Sequence, residues 1–98
     1  MKLFKTVDEK FEEIGFIKIN ENKYGAFYHR INHEFNYTQS LDLCHKKSGK
    51  HIVQSYDVRL KDDKGIGNTC VGLTMYEMKL CLKKMKQMGW KPYKRNGG

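Results

Sequence analysis

Apolar positions along this chain change their period twice. Val7, Phe11 and Ile14 recur at steps of four and three, the spacing of one helix face. Thr6 and Glu9 stand three apart before that run, where a threonine caps a helix start and a glutamate reaches back to the cap's own N–H. Gly15 ends the run in the left-handed turn that glycine adopts cheaply, and Phe16 follows where an apolar residue folds back on the last turn. The spacing predicts a short helix over residues 7–14.

From Phe16 to Leu60 the period is two. "FIKI" offers Ile17 and Ile19, "ENKYG" is a turn, and "AFYHRI" alternates Phe27, His29 and Ile31, read as inward, against Tyr28 and Arg30. After the turn "NHEFN", Tyr37, Gln39, Leu41 and Leu43 fall inward, with Thr38, Ser40, Asp42 and Cys44 outward. "KKSGK" makes a hairpin loop, beyond which Ile52, Gln54, Tyr56, Val58 and Leu60 are placed inward and Ser55, Asp57 and Arg59 outward. Alternation of this kind sets one face on a core and one in water, so the four strands form an antiparallel meander.

"KDDKGIGNTCVG" is loop by composition. Thr74 and Glu77 then repeat the capping-box spacing, Gly89 stops a second helix after about Met88, and Trp90 folds back. At ~100° per residue, Met75, Met78, Cys81, Leu82, Met85 and Met88 share one arc, and Lys79, Lys83, Lys84 and Lys86 lie on the opposite one. The expected architecture is a single α+β domain over residues 1–90, a four-stranded antiparallel meander with an N-terminal and a C-terminal helix packed on one face. A basic tail, residues 91–98, is expected to be mobile.

A chain of 98 residues buries roughly two-thirds of its unfolded surface, enough for one core without metal or disulfide staples. Its charge is uneven: residues 1–43 hold six basic and seven acidic groups, residues 44–98 thirteen basic and four acidic. Such asymmetry points to an acidic partner, whether nucleic acid, membrane surface or an acidic protein, against the plainer reading that lysine only keeps a small protein soluble. Three cysteines, Cys44, Cys70 and Cys81, match neither a disulfide framework nor a C-x-x-C pair. The amino end meets Asp8 and Glu9 before any apolar run of signal-peptide length, and no stretch approaches the ~18 apolar residues of a membrane span. The expectation is a cytoplasmic protein with free thiols and no membrane association.

The endings "FEEIGF" and "MKQMGW", the meander between them and the opening "LTMYEM" resemble a loose group of small uncharacterised proteins encoded by phages, prophages and mobile elements of Gram-positive bacteria. The resemblance spans about residues 7–90, rests on helix caps and core positions, and departs from the group's pattern at Tyr76. It implies an origin and a fold rather than an activity, and no catalytic residue carries over.

Candidate chemistry is sparse. His29 and His33 would offer two metal ligands on a helix, but in extended chain residues four apart are ~13 Å from each other. Cys44, His45 and His51 flank a hairpin, where neighbours on a strand point to opposite faces. No metal site and no cofactor is expected. The glycine-rich loop lacks the ending of a P-loop, and Cys70 beside it has no base to activate it, so the chain is not read as an enzyme. If the turns centre near Glu34 and between Lys47 and Ser48, then His29, Gln39 and Tyr56 form an inner polar row, either a self-satisfied network or a pocket lining.

Two functional readings follow. One is a non-enzymatic accessory protein that binds nucleic acid through a basic C-terminal helix and tail, using Lys79, Lys83, Lys84, Lys86, Lys91, Lys94 and Arg95. The other is a protein-binding module, a regulator of a host factor, that uses the open sheet face around Tyr28, Arg30, Ser40 and Arg59.

Overall fold

A computed structural model describes residues 4–58 and 70–91. The elements run α1 (Val7–Glu13), β1 (Ile17–Asn22), β2 (Gly25–Asn32), β3 (Tyr37–Cys44), β4 (Ile52–Asp57) and α2 (Met75–Gln87). The strands form one antiparallel sheet in the order β1-β2-β3-β4, the predicted meander.

Both helix starts are reciprocal capping boxes, Thr6 with Glu9 and Thr74 with Glu77. Both ends close the same way. Gly15 and Gly89 take φ of 94° and 79°, and the N–H groups of Phe16 and Trp90 donate back to the carbonyls of Phe11 and Met85 at 2.9 and 3.1 Å. These bonds satisfy carbonyls that a helix end otherwise leaves orphaned and turn each aromatic ring back toward the helix. Phe16 is fully buried and meets Phe11 edge-on, with centroids 5.9 Å apart; Phe11 lies 4.5 Å from the Tyr28 ring. Ala26, Leu41 and Leu43 from the sheet and Leu80 and Cys81 from α2 complete the core.

The sheet's inner face differs from the predicted one on two strands. β3 is as expected, with Gln39, Leu41 and Leu43 inward. Because Arg30 pairs with Gln39 and Tyr28 with Leu41, it is Ala26, Tyr28 and Arg30 that face inward on β2, and Phe27, His29 and Ile31 that face out. On β4, Val53, Ser55 and Asp57 oppose Leu43, Leu41 and Gln39, which turns Ile52, Gln54 and Tyr56 outward. The cause lies in the turns. Asn32 pairs with Tyr37 across a four-residue loop that ends in left-handed Asn36 (φ 54°), which puts His29 opposite Ser40 rather than Gln39. Cys44 pairs with Ile52, which centres the second hairpin on Ser48 itself. A one-residue slip exchanges the faces of a strand, so the expected His29, Gln39, Tyr56 row does not exist.

α2 is also turned relative to its apolar arc. Its buried residues are Glu77, Leu80, Cys81 and Lys84, while Met75 is 91% and Leu82 58% exposed. No helix among the described residues is long and apolar enough to cross a membrane.

Candidate nucleic-acid interface

Lys84 does not belong to the lysine face. Its side chain is 4% exposed, and its ammonium sits 2.8 Å from Glu21 Oε1 and 3.2 Å from Asp8 Oδ2. Asp8 also accepts from the Tyr28 hydroxyl at 2.7 Å and from Lys18 at 3.0 Å, and Lys18 reaches Glu21 at 3.2 Å. Burial alone would raise the Asp8 carboxyl, but the hydrogen bonds from Tyr28, Lys18 and Lys84 outweigh it and hold the group below the ordinary range. The Lys84 hydrogen bond likewise lowers Glu21 against the opposing effect of burial. Burial, then the Asp8 bond, raises the Tyr28 hydroxyl. α1, β1, β2 and α2 thus meet around one ionic cluster.

Arg30 anchors a second cluster. Its guanidinium donates to Glu77 Oε2 at 2.7 Å, to the Ile14 carbonyl at 3.1 Å and to Gln39 Oε1 at 3.2 and 2.9 Å, and it lies 4.1 Å over the Phe16 ring. Gln39 passes the chain on to Ser55 Oγ at 2.7 Å. An inward arginine is tolerable because its flat fork makes four hydrogen bonds to acceptors on three elements and rests on an aromatic face. Tyr28 and Arg30 are therefore no part of an open protein-binding face. Ser40 does lie on that face but is 3% exposed, and Arg59 falls outside the described residues.

The other lysines of α2 lie on its solvent side. Lys79, Lys83 and Lys86 are exposed on α2, and Lys91 is exposed just beyond its end. Trp90, turned back by the helix ending, packs 5.1 Å from the ring of His45 and 5.0 Å from that of His51, on the two arms of the β3–β4 hairpin. His51 Nδ1 accepts the Lys46 N–H at 3.0 Å, which leaves the ring proton on Nε2 to donate to the Lys91 carbonyl at 2.9 Å. This stack pins the end of α2 to the hairpin and brings Lys46 and Lys47 beside Lys91. The three lysines, His45, His51, Ser48, Gly49 and Gly89 line a shallow depression of about 370 Å³ that contains no carboxylate. Lys94 and Arg95, expected to extend this basic end, lie outside the described residues.

Sequence reasoning placed the helix lysines but missed Lys46 and Lys47. The signal is present in "HKKSGKH", a lysine run bracketed by histidines that on sequence alone read as metal ligands. Among the described residues no group of three His, Cys, Asp or Glu side chains is placed to hold a metal ion. His29 and His33 border an open depression of about 570 Å³ with Ile14, Ile17 and Ile31. All three cysteines are free thiols; Cys70 is exposed, and burial pushes Cys81 up to about 12. The glycine-rich loop falls largely within residues 59–69, outside the described residues. No protein-family model, curated protein or solved structure matches the chain.

Proposed function

We propose that this chain is a non-enzymatic accessory protein, of the kind phages and mobile elements encode, that binds nucleic acid by its phosphates at the basic end. The observation that supports this reading most is the pinning of the hairpin lysines to the end of α2 through Trp90, His45 and His51. It joins Lys46 and Lys47 of the hairpin to Lys91, just beyond the α2 that carries Lys79, Lys83 and Lys86. Lys46, Lys47, Lys79, Lys83, Lys86 and Lys91 have no carboxylate partner among the described residues, whereas Lys84 and Arg30 are paired inside and Lys18 is paired at the surface.

Solubility alone is a poor reason for that arrangement. A solvated helix face normally alternates sign, because Glu–Lys pairs four apart stabilise a helix by ~0.2–0.5 kcal/mol and like charges cost as much. α2 holds one acid, Glu77, and it is turned inward; Lys79 and Lys83 repel each other at the same spacing. Lys86 gains from the helix dipole in the last turn, but Lys79 and Lys83 lie too early to do so.

The test is an anisotropy titration of labelled DNA and RNA oligonucleotides over a salt series, with Lys79, Lys83 and Lys86 changed to glutamine in one variant and Lys46 and Lys47 in another. Affinity is expected to fall with salt, and each neutralised phosphate contact to flatten the slope of log K by ~0.7–0.9. Absence of binding at low salt, or equal slopes in wild type and both variants, overturns the reading.

An acidic protein is the second reading. The exposed Met75, Met78 and Leu82 lie beside Lys79 on α2, a flexible apolar strip next to cations. Binding that survives high salt and is lost on replacing Met78 and Leu82 would favour it.

A further inference from the structure

The sheet's outward face is nearly free of charge in a chain that is 31% charged. Strand pairing puts Ile17, Phe27, Ile31 and Ile52 on it, separated by His29, Asn, Gln, Ser and Thr, and Asp42 is its one carboxylate among the described residues. Ile17 and Ile31 are 55% and 58% exposed. Asp42 comes already partnered: one oxygen accepts from Ser40 Oγ and the other from the Tyr56 hydroxyl, both at 2.9 Å. Covering it would strand neither oxygen. Depletion of charge with retained aromatic and aliphatic side chains marks the core of a protein interface rather than a solvated sheet face.

We infer that a second copy of this chain packs on this face, sheet against sheet. Charge selects that occupant. Among the described residues the face offers no lysine or arginine to a phosphate, and at a net charge of +8 two copies approach with least repulsion through such a surface. Face-to-face sheets stand ~10 Å apart with strands within ~30° of each other, which leaves both lysine-bearing helices on the outside of the pair. With a helix layer ~10 Å thick on each side as well, the α2 lysines of the two copies, Lys79, Lys83 and Lys86, are separated by more than the ~8 Å over which physiological salt lets charges interact. Two patches that would repel each other are thereby kept apart.

Area fits a modest dimer. Four strands ~4.8 Å apart and ~20–26 Å long give ~450 Å² in plan on each copy. Doubled, and with the relief of the side chains added, this reaches the ~1,000 Å² that a specific interface needs.

The experiment is sedimentation equilibrium of the whole chain over a concentration series reaching ~1 mM. Wild type is compared with Ile17→Glu/Ile31→Glu and with Met78→Glu/Leu82→Glu on the exposed strip of α2, and circular dichroism checks that each variant is folded. Expected is a mass rising from 11.6 kDa toward twice that value in wild type and in the α2 variant, with the sheet-face variant shifted at least tenfold toward monomer. A wild type that stays monomeric throughout overturns the inference. So does a dimer indifferent to the sheet-face change, or one abolished by the α2 change instead. The helical signal is carried mainly by α2 and is expected to be unchanged, because both isoleucines are exposed and lie on strands. Should the first variant nevertheless lose it, Ile31→Glu by itself decides on the same criterion.

Discussion

Lys83 and Lys84 are adjacent in sequence and should behave as opposites. Changing Lys84 to methionine keeps most of the stem's volume but removes the ammonium that bridges Asp8 and Glu21. Breaking a fully buried pair by deleting one partner costs ~3–5 kcal/mol. Here the carboxylates are 27% and 34% exposed and keep Lys18 as a second partner, so water and Lys18 recover part of the loss. An expected cost of ~2 kcal/mol follows, or a fall in Tm of ~8–16 °C for a domain of this size. Lys83→Met, on the solvent face, should stay within ~0.5 kcal/mol of wild type.

A pH series adds a second reading of the same contact. Asp8 and Glu21 are held below the ordinary carboxylate range, so their pairing contributes stability that is full above the unfolded values near ~4 and is lost as pH falls through the folded ones. The difference between wild type and Lys84→Met should therefore narrow on acidification below about pH 4. Urea denaturation at several pH values measures it, and oligonucleotide titrations of both variants complete the comparison, with the salt slope falling in the Lys83 variant only. A Lys84 variant as stable as wild type, a gap constant with pH, or equal loss of nucleic-acid affinity from both changes would refute the reasoning.

Three further outcomes are expected. Arg30→Lys cannot satisfy Glu77, Gln39 and the Ile14 carbonyl together and loses the flat contact with Phe16, so it should cost ~2–3 kcal/mol in chemical denaturation despite keeping the charge; less than ~0.5 kcal/mol would contradict the described network. Trp90→Leu retains every lysine but releases the hairpin from α2, and should weaken oligonucleotide binding severalfold at low salt, measured by anisotropy; unchanged affinity would separate the stack from the basic surface. Iodoacetamide at pH 8 should label Cys70 rapidly and Cys81 only on unfolding, counted by mass spectrometry, because Cys81 is buried and its thiol is pushed up to about 12.

What was legible in the sequence was local chemistry. Thr-x-x-Glu at both helix starts and Gly-aromatic at both ends specify geometry within a few residues, and both helices and all four strands stand where those signals and the alternation put them. What was not legible depended on half a residue in a turn. "AFYHRI" is apolar on both faces, so its pattern could not choose between Phe27 and Tyr28 as the inward residue, and reading Arg30 as solvent-facing tipped the choice the wrong way. On β4, Ser55 and Asp57 look like surface residues and Ile52 and Tyr56 like core, yet the pairing with Leu41 and Gln39 reverses them. Of the candidate lysines, Lys79, Lys83 and Lys86 are exposed as expected and Lys84 is not, because nothing in a lysine's identity announces carboxylates waiting on other elements.

The rotation of α2 shows how those inward charges act on the rest of the molecule. The expected apolar arc through Met75, Met78, Cys81, Leu82, Met85 and Met88 would bury the helix on a line differing by about one residue's turn, ~100°, from the face that is buried. Hydrophobic contact tolerates such a shift, since methionine packs in many ways. Ion pairs do not. Glu77 and Lys84 lie two turns apart, ~10 Å along the axis, and reach Arg30 on β2 at one point and Asp8 on α1 with Glu21 on β1 at the other. Two charged contacts of opposite polarity, fixed at both ends of a 13-residue helix, leave one rotation and one register in which every partner is met. That rotation is what turns Lys79, Lys83 and Lys86 away from the sheet and leaves Met75, Met78 and Leu82 uncovered beside them. The surface on which a partner is proposed to bind is therefore set from below by three charged residues: Lys84 and Arg30, which the sequence pattern assigns to water, and Glu77, which it reads only as a helix cap.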